Sequence, residues 1–285
     1  MSISGNMIYL AKHENMQDSI SLPPPSFGYT VQLTKAVTIR RNIGNVSAFN
    51  HGINNDFRTV DFTLQLNKND VIKLRDFFDS LKNISSSKNE FYFKTSKNFF
   101  AAGPDQPDEE IFHVAIAGNP QFSSMMINPF EFFKCQLRLL FIDLPIIVPL
   151  SQNPEPYGSF DFGSVKGLRD PERSPSQDYA AERSNSLSGD HFVKHSFVDE
   201  YTTSLSQVTT TLKMAELLYF LQSERTAEIT IKAGKNYWLF GPDICESGEI
   251  EVKLLDNQFI FTHEGPDRWR TNINIWHVKK EHDFA

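Results

Sequence analysis

The chain has 285 residues, a formal net charge of −7 at pH 7, 40% hydrophobic residues and 22% charged residues. That balance excludes an intrinsically disordered chain, and the length is enough to bury one large core or two medium ones. The negative charge argues against a surface that grips nucleic acid through its phosphates, though not against a lumen through which nucleic acid passes.

Phenylalanine is over-represented, with 25 copies, which suits sheet packing and subunit interfaces. Two cysteines, Cys135 and Cys245, are too few for a disulfide framework and point to synthesis in a reducing compartment. Met1-Ser2-Ile3-Ser4-Gly5 and the polar run after it lack the pattern of a signal peptide. The longest apolar stretch, Leu137 to Leu150, is interrupted by Arg138, Asp143, Pro145 and Pro149. It is too short and too broken for a membrane span. The expectation is a protein without a membrane anchor, made in the cytoplasm and not exported by the general route.

In chain order, residues 1–30 read as a polar N-terminal arm, set off by Ser21-Leu22-Pro23-Pro24-Pro25. Residues 31–144 read as a first domain. It opens with a strand, Lys35 to Arg40, and a polar hairpin from Asn42 to Asp56. An alternating strand follows, Val60, Phe62, Leu64 and Leu66. Asn67-Lys68-Asn69-Asp70 can cap a helix that carries Val71, Leu74, Phe77, Phe78 and Leu81 on one side. Phe91 to Lys94 predicts a strand, Gly103-Pro104-Asp105 a turn, and Phe112, Val114 and Ile116 another strand. The domain closes on Phe133, Cys135, Leu137, Leu139 and Phe141. Residues 145–190 are rich in proline, then in serine, glycine and charge, and read as an extended linker or interaction loop. Residues 191–285 read as a second domain. Its first strand carries Val208, Thr210, Leu212 and Met214, its helix Leu217, Leu218, Phe220 and Leu221. Its last strand carries Trp269, Thr271, Ile273 and Ile275.

The two domains share an ungapped motif. Residues 94–105 match residues 232–243 at a constant offset of 138. Lys97, Asn98, Phe99, Phe100, Gly103, Pro104 and Asp105 meet Lys235, Asn236, Tyr237, Trp238, Gly241, Pro242 and Asp243. At the same offset Phe112, Val114 and Ile116 fall on Ile250, Val252 and Leu254, and Asn119 on Asn257. With like elements on both sides, this predicts a duplicated, mainly β domain whose units each carry one packed α-helix.

Residue patterns that could carry chemistry read better as structure. His191 and His195 have the spacing of two ligands on a helix, but Phe192, Val193 and Phe197 around them suggest a strand. Asp105, Asp108, Glu109 and Glu110 lack calcium-loop spacing. Cys135 and Cys245 are not equivalent in the repeat, and two thiols fall short of a metal set. Tyr237, Trp238, Trp269 and Trp276 could stack sugars, but their strand contexts favour core or interface. Phosphate loops and a nucleophile elbow are missing. The sequence therefore predicts no catalytic residue, no cofactor and no metal.

The order Lys35–Arg40, hairpin, Arg58–Leu66, helix to Phe78, Phe91–Lys94, and Phe133–Phe141 resembles the lambda-type minor tail proteins and related distal-tail or hub proteins of tailed bacteriophages. The resemblance covers residues 35–141, and through the repeat residues 190–278. It implies tube-like β-sandwich units that associate edge to edge into a ring around a channel. It further implies a homotrimer with pseudo-sixfold symmetry, or alternatively a hexamer. The implied partners are other tail proteins (tube, hub or fibre), with DNA only in transit. The implied place is the tail tip of the virion, and the implied role is structural, not enzymatic. A receptor- or carbohydrate-binding β-sandwich of a phage particle is the competing expectation.

Overall fold

The computed structural model describes residues 7–26, 28–42, 45–50, 56–82, 90–96, 109–127, 130–142, 158–185, 191–224, 228–232, 249–265 and 267–277. The protein is mainly β, with eighteen strands and two helices among these residues. Sixteen strands belong to one antiparallel sheet, and the other two form a separate hairpin.

The first half opens with a short hairpin, β1 (Ile8–Ala11) and β2 (Ile20–Leu22). A longer excursion follows: β3 (Thr30–Thr34) leads to β4 (Val37–Asn42), which pairs with β5 (Asn45–Asn50) before the chain returns as β6 (Phe57–Leu66). Helix α1 (Lys68–Lys82) comes next, then β7 (Glu90–Ser96), β8 (Glu109–Ile116), β9 (Gln121–Ile127) and β10 (Phe130–Phe141). Strand β10 is the hub of this half. One edge carries β6; the other carries β9 along its beginning and β8 along its end. Strand β8 continues to β7, and β7 to β1.

The second half repeats this pairing pattern. It consists of β11 (Phe160–Phe162), β12 (Val165–Leu168), β13 (Glu172–Asn185), β14 (His191–Thr209), α2 (Thr211–Ser223), β15 (Glu228–Lys232), β16 (Glu249–Leu254), β17 (Gln258–Gly265) and β18 (Arg268–His277). Strand β18 carries β14 on one edge, with β17 and β16 on the other. Strand β16 continues to β15, β15 to β11, and β11 pairs with β12. The long β13–β14 hairpin stands where β3–β6 and its β4–β5 extension stand in the first half.

Register repeats as well as order. Val114 faces Phe141 and Ile116 faces Leu139, while Val252 faces His277 and Leu254 faces Ile275. Leu66 faces Phe133, and Thr209 faces Trp269. The next residue in each half is a helix cap. Asn67 Oδ1 accepts from the Asp70 amide at 3.0 Å, and Thr210 Oγ1 from the Lys213 amide at 3.3 Å. Each cap satisfies one amide that the first helical turn leaves without an intrahelical partner.

Alternation places the core. In β6, Val60, Phe62, Leu64 and Leu66 are buried, and in β10 Cys135, Leu137, Leu139 and Phe141 are buried between exposed Lys134, Gln136 and Arg138. Helix α1 lays Leu74, Phe77 and Leu81 onto this surface, and Phe77 meets Phe91 edge to face at 5.6 Å. Helix α2 is more deeply covered: Met214, Ala215, Leu217, Leu218, Phe220 and Leu221 are all buried. At the β11–β12 turn, Gly163 has φ +59, and a Cβ there would lie 2.2 Å from the Phe220 ring. Only glycine fits both the left-handed backbone and the close ring.

Two expectations change in detail. Helix α2 begins at Thr211, so Leu212 and Met214 are helical, whereas the alternation had placed them in the preceding strand. Residues 208, 210, 212 and 214 satisfy a period of two, but the Thr210 cap ends the strand. The segments read as an arm (1–30) and a linker (145–190) contribute strands in their described parts. Ile8, Leu10 and Leu22, and Phe160, Phe162, Val165 and Leu168, are buried in the core. Strands β1, β2, β11 and β12 have only three or four residues, too short to display an alternation, and the longer β13 (Glu172–Asn185) carries no alternating apolar residues.

Candidate assembly interface

The two halves meet along one ladder that has no counterpart within either half. Strand β17 pairs antiparallel with β3, with Phe259 opposite Leu33, Phe261 opposite Val31 and Thr262 opposite Thr30. Further hydrogen bonds extend the ladder at both ends: the Lys35 amide donates to the Asn257 carbonyl at 2.8 Å, and the Gly28 amide to the His263 carbonyl at 3.1 Å. Both strands alternate, so Val31, Leu33, Phe259 and Phe261 enter the core without measurable exposure. The halves thus share one continuous hydrophobic cluster.

An aromatic group closes one end of the seam. Tyr29 stacks on His263 with centroids 4.5 Å apart, and Trp269 meets Tyr29 edge-on at 5.3 Å and His263 at 5.0 Å. Trp269 is 1% exposed and donates Nε1–H to Thr211 Oγ1 at 3.2 Å. Burial raises the Tyr29 phenol and lowers the His263 imidazole, so both stay neutral near pH 7. At the other end, first-half cations meet the C-terminus of α2. Lys35 is 5% exposed, and its Nζ donates to the Glu224 carbonyl. Arg58 is 1% exposed, and its Nη2 donates to Gln222 Oε1 at 2.8 Å. A cation at a helix C-terminus satisfies carbonyls that have no intrahelical donor and lies at the favourable end of the helix dipole.

The fourteen motif positions (residues 97–100 and 103–105, and 235–238 and 241–243) lie outside the described residues. So do Asp108 and Cys245. Cys135 is fully buried in β10, and burial pushes its thiol up to about 12, as suits a small apolar core residue. His191 and His195 lie in strand β14, so the helical two-ligand arrangement does not form. Trp269 and Trp276 are 1% and 6% exposed, leaving no open indole face on β18 for a sugar.

The seam was not identified from the sequence. Its signal was present as alternation in Val31 and Leu33 and in Phe259 and Phe261, but alternation marks a buried face and not the strand that will pair with it. Lys35 and Arg58 carried no signal, because a buried cation is recognisable only once its carbonyl or amide acceptor is in place. No protein-family model matches the chain, and a search of curated proteins found no match.

Proposed function

We propose that the chain is a structural ring protein of a bacteriophage tail tip, a distal-tail or hub component that joins the tail tube to the tip or fibres. Its two halves are two copies of one tube-like unit. The observation that carries this reading is the β3–β17 seam, which joins two like-built halves edge to edge within one antiparallel sheet. A sheet that already continues from unit to unit inside one chain is suited to continue from chain to chain. Ring closure then removes the exposed edges that would otherwise aggregate. Three chains of two units form a pseudo-sixfold ring able to meet a sixfold tube on one face and a threefold tip on the other. DNA passes through the lumen without being held.

Native mass spectrometry and negative-stain electron microscopy of the purified chain at micromolar concentration test this. The expected result is a homotrimer with a central hole and six peripheral densities. A chain that stays monomeric at every concentration overturns the reading.

A further inference from the structure

Among the described residues, β9 and β13 each keep one unpaired edge, and these are the counterparts of the two edges that the seam uses. Among the described residues, β9 pairs only with β10 and β13 only with β14. Strand β9 holds in the first half the place that β17 holds in the second, on the same edge of the hub strand. Strand β13 holds the place of β3, on the outer edge of the strand that leads into the helix. We infer that β9 of one copy pairs with β13 of the next, copying the β17–β3 ladder between molecules. This inference rests on the ring reading above and names the surfaces that would build it.

The register follows from the repeat. Cys135 and Thr271 hold the same place, each four residues before the residue opposite Ile116 or Leu254. Phe122 faces Cys135 and Phe261 faces Thr271, so Phe122 is the counterpart of Phe261. On the other strand, Val31 faces Val60, which faces Leu139; Pro175 faces Thr203, which faces Ile275. Val31 and Pro175 are therefore counterparts. Within the chain, Phe261 faces Val31 and Thr262 faces Thr30. Between copies, Phe122 faces Pro175 and Ser123 faces Ser174.

Exposure points the same way. Phe261 has no exposed surface, whereas its counterpart Phe122 is 40% exposed. The difference is what a missing β3-like neighbour produces. Ser123 and Ser174 are also exposed, and so available for pairing. Pro175 removes at most one ladder donor, and proline is tolerated at an edge. The contact is heterologous, since different strands meet, so every added copy leaves the same two edges until a ring closes.

The test is a disulfide across the inferred register in the full chain, with Cys245→Ser to remove one native thiol. Directly opposed residues in an antiparallel ladder have Cα atoms close enough for a disulfide. Ser123→Cys with Ser174→Cys should give covalent dimers and closed oligomers on oxidation, read on non-reducing gels. Phe122→Cys with Ser174→Cys is the slipped control; a one-residue slip places the thiols on opposite faces, and it should cross-link at least tenfold less. Phe122→Asp should weaken association at least tenfold while leaving the thermal midpoint of the monomer unchanged. A trimer by mass spectrometry that cross-links no better than the slipped control overturns this interface and leaves the ring reading standing. A chain that never associates and never cross-links overturns both.

Discussion

At the scale of single residues, the most informative side chain is His277 at the end of β18. It is 9% exposed, its Nε2 lies 3.1 Å from Thr203 Oγ1, and burial lowers its pKa to about 3. In the unfolded chain an imidazole titrates near ~6.5. Below that pH the unfolded chain takes up a proton that the folded chain refuses until about pH 3. The contribution of His277 to stability is therefore complete above ~6.5 and is lost as the pH falls towards 3, at up to about 1.4 kcal/mol per pH unit. His277→Phe installs the residue found at the counterpart position, Phe141, and should flatten this part of the pH profile. Urea denaturation of both proteins at pH 7, 5.5 and 4.5 checks it. All other groups are common to the pair, so equal slopes would show that His277 does not carry the effect. Residue types were a fair guide to burial, as with Cys135 and Trp269. They said nothing of this histidine, whose neutrality depends on neighbours brought from β14 and β16.

At the scale of elements, the caps show how local sequence decides a boundary. Asn67 and Thr210 occupy one structural position in two sequences that share little around it. Each turns the chain from a core strand into a helix. Asn67→Ala and Thr210→Ala should each cost about 1 kcal/mol, and Thr210→Ser should cost much less, because serine keeps the accepting oxygen. Equilibrium denaturation monitored by circular dichroism measures this; an alanine variant as stable as the parent would mean that the cap oxygen adds nothing. The Asn67 cap was legible because three polar residues follow it before the apolar stripe of α1 begins. Thr210 was not, because Val208, Thr210, Leu212 and Met214 satisfy a strand pattern up to the helix itself. The long strands β6, β10 and β18 were legible from alternation. The short hairpins β1–β2 and β11–β12 were not, since strands of three or four residues are too short to form a period and their burial depends on the distant strands β7 and β15.

At the scale of the whole molecule, the sequence indicated two similar halves but not how they are joined. Whether they behave as one body depends on the seam. A five-residue ladder, a buried aromatic trio and two cations on the end of α2 connect them. An interface of this kind couples two units into a single unfolding transition when its free energy exceeds the difference between their own stabilities. Tyr29 and Lys35 are the places to test this. Tyr29→Ala removes the stack on His263, and Lys35→Met removes the donor to the Glu224 carbonyl while keeping an apolar stem of similar length. Differential scanning calorimetry should show one transition for the parent chain and two for the double variant. The comparison belongs in a Phe122→Asp background, where ladders between molecules cannot supply the coupling that the seam has lost. A double variant that still unfolds in one step would mean that the β3–β17 backbone ladder and its buried apolar residues join the halves by themselves. The polar and aromatic ends of the seam would then set its register rather than its strength.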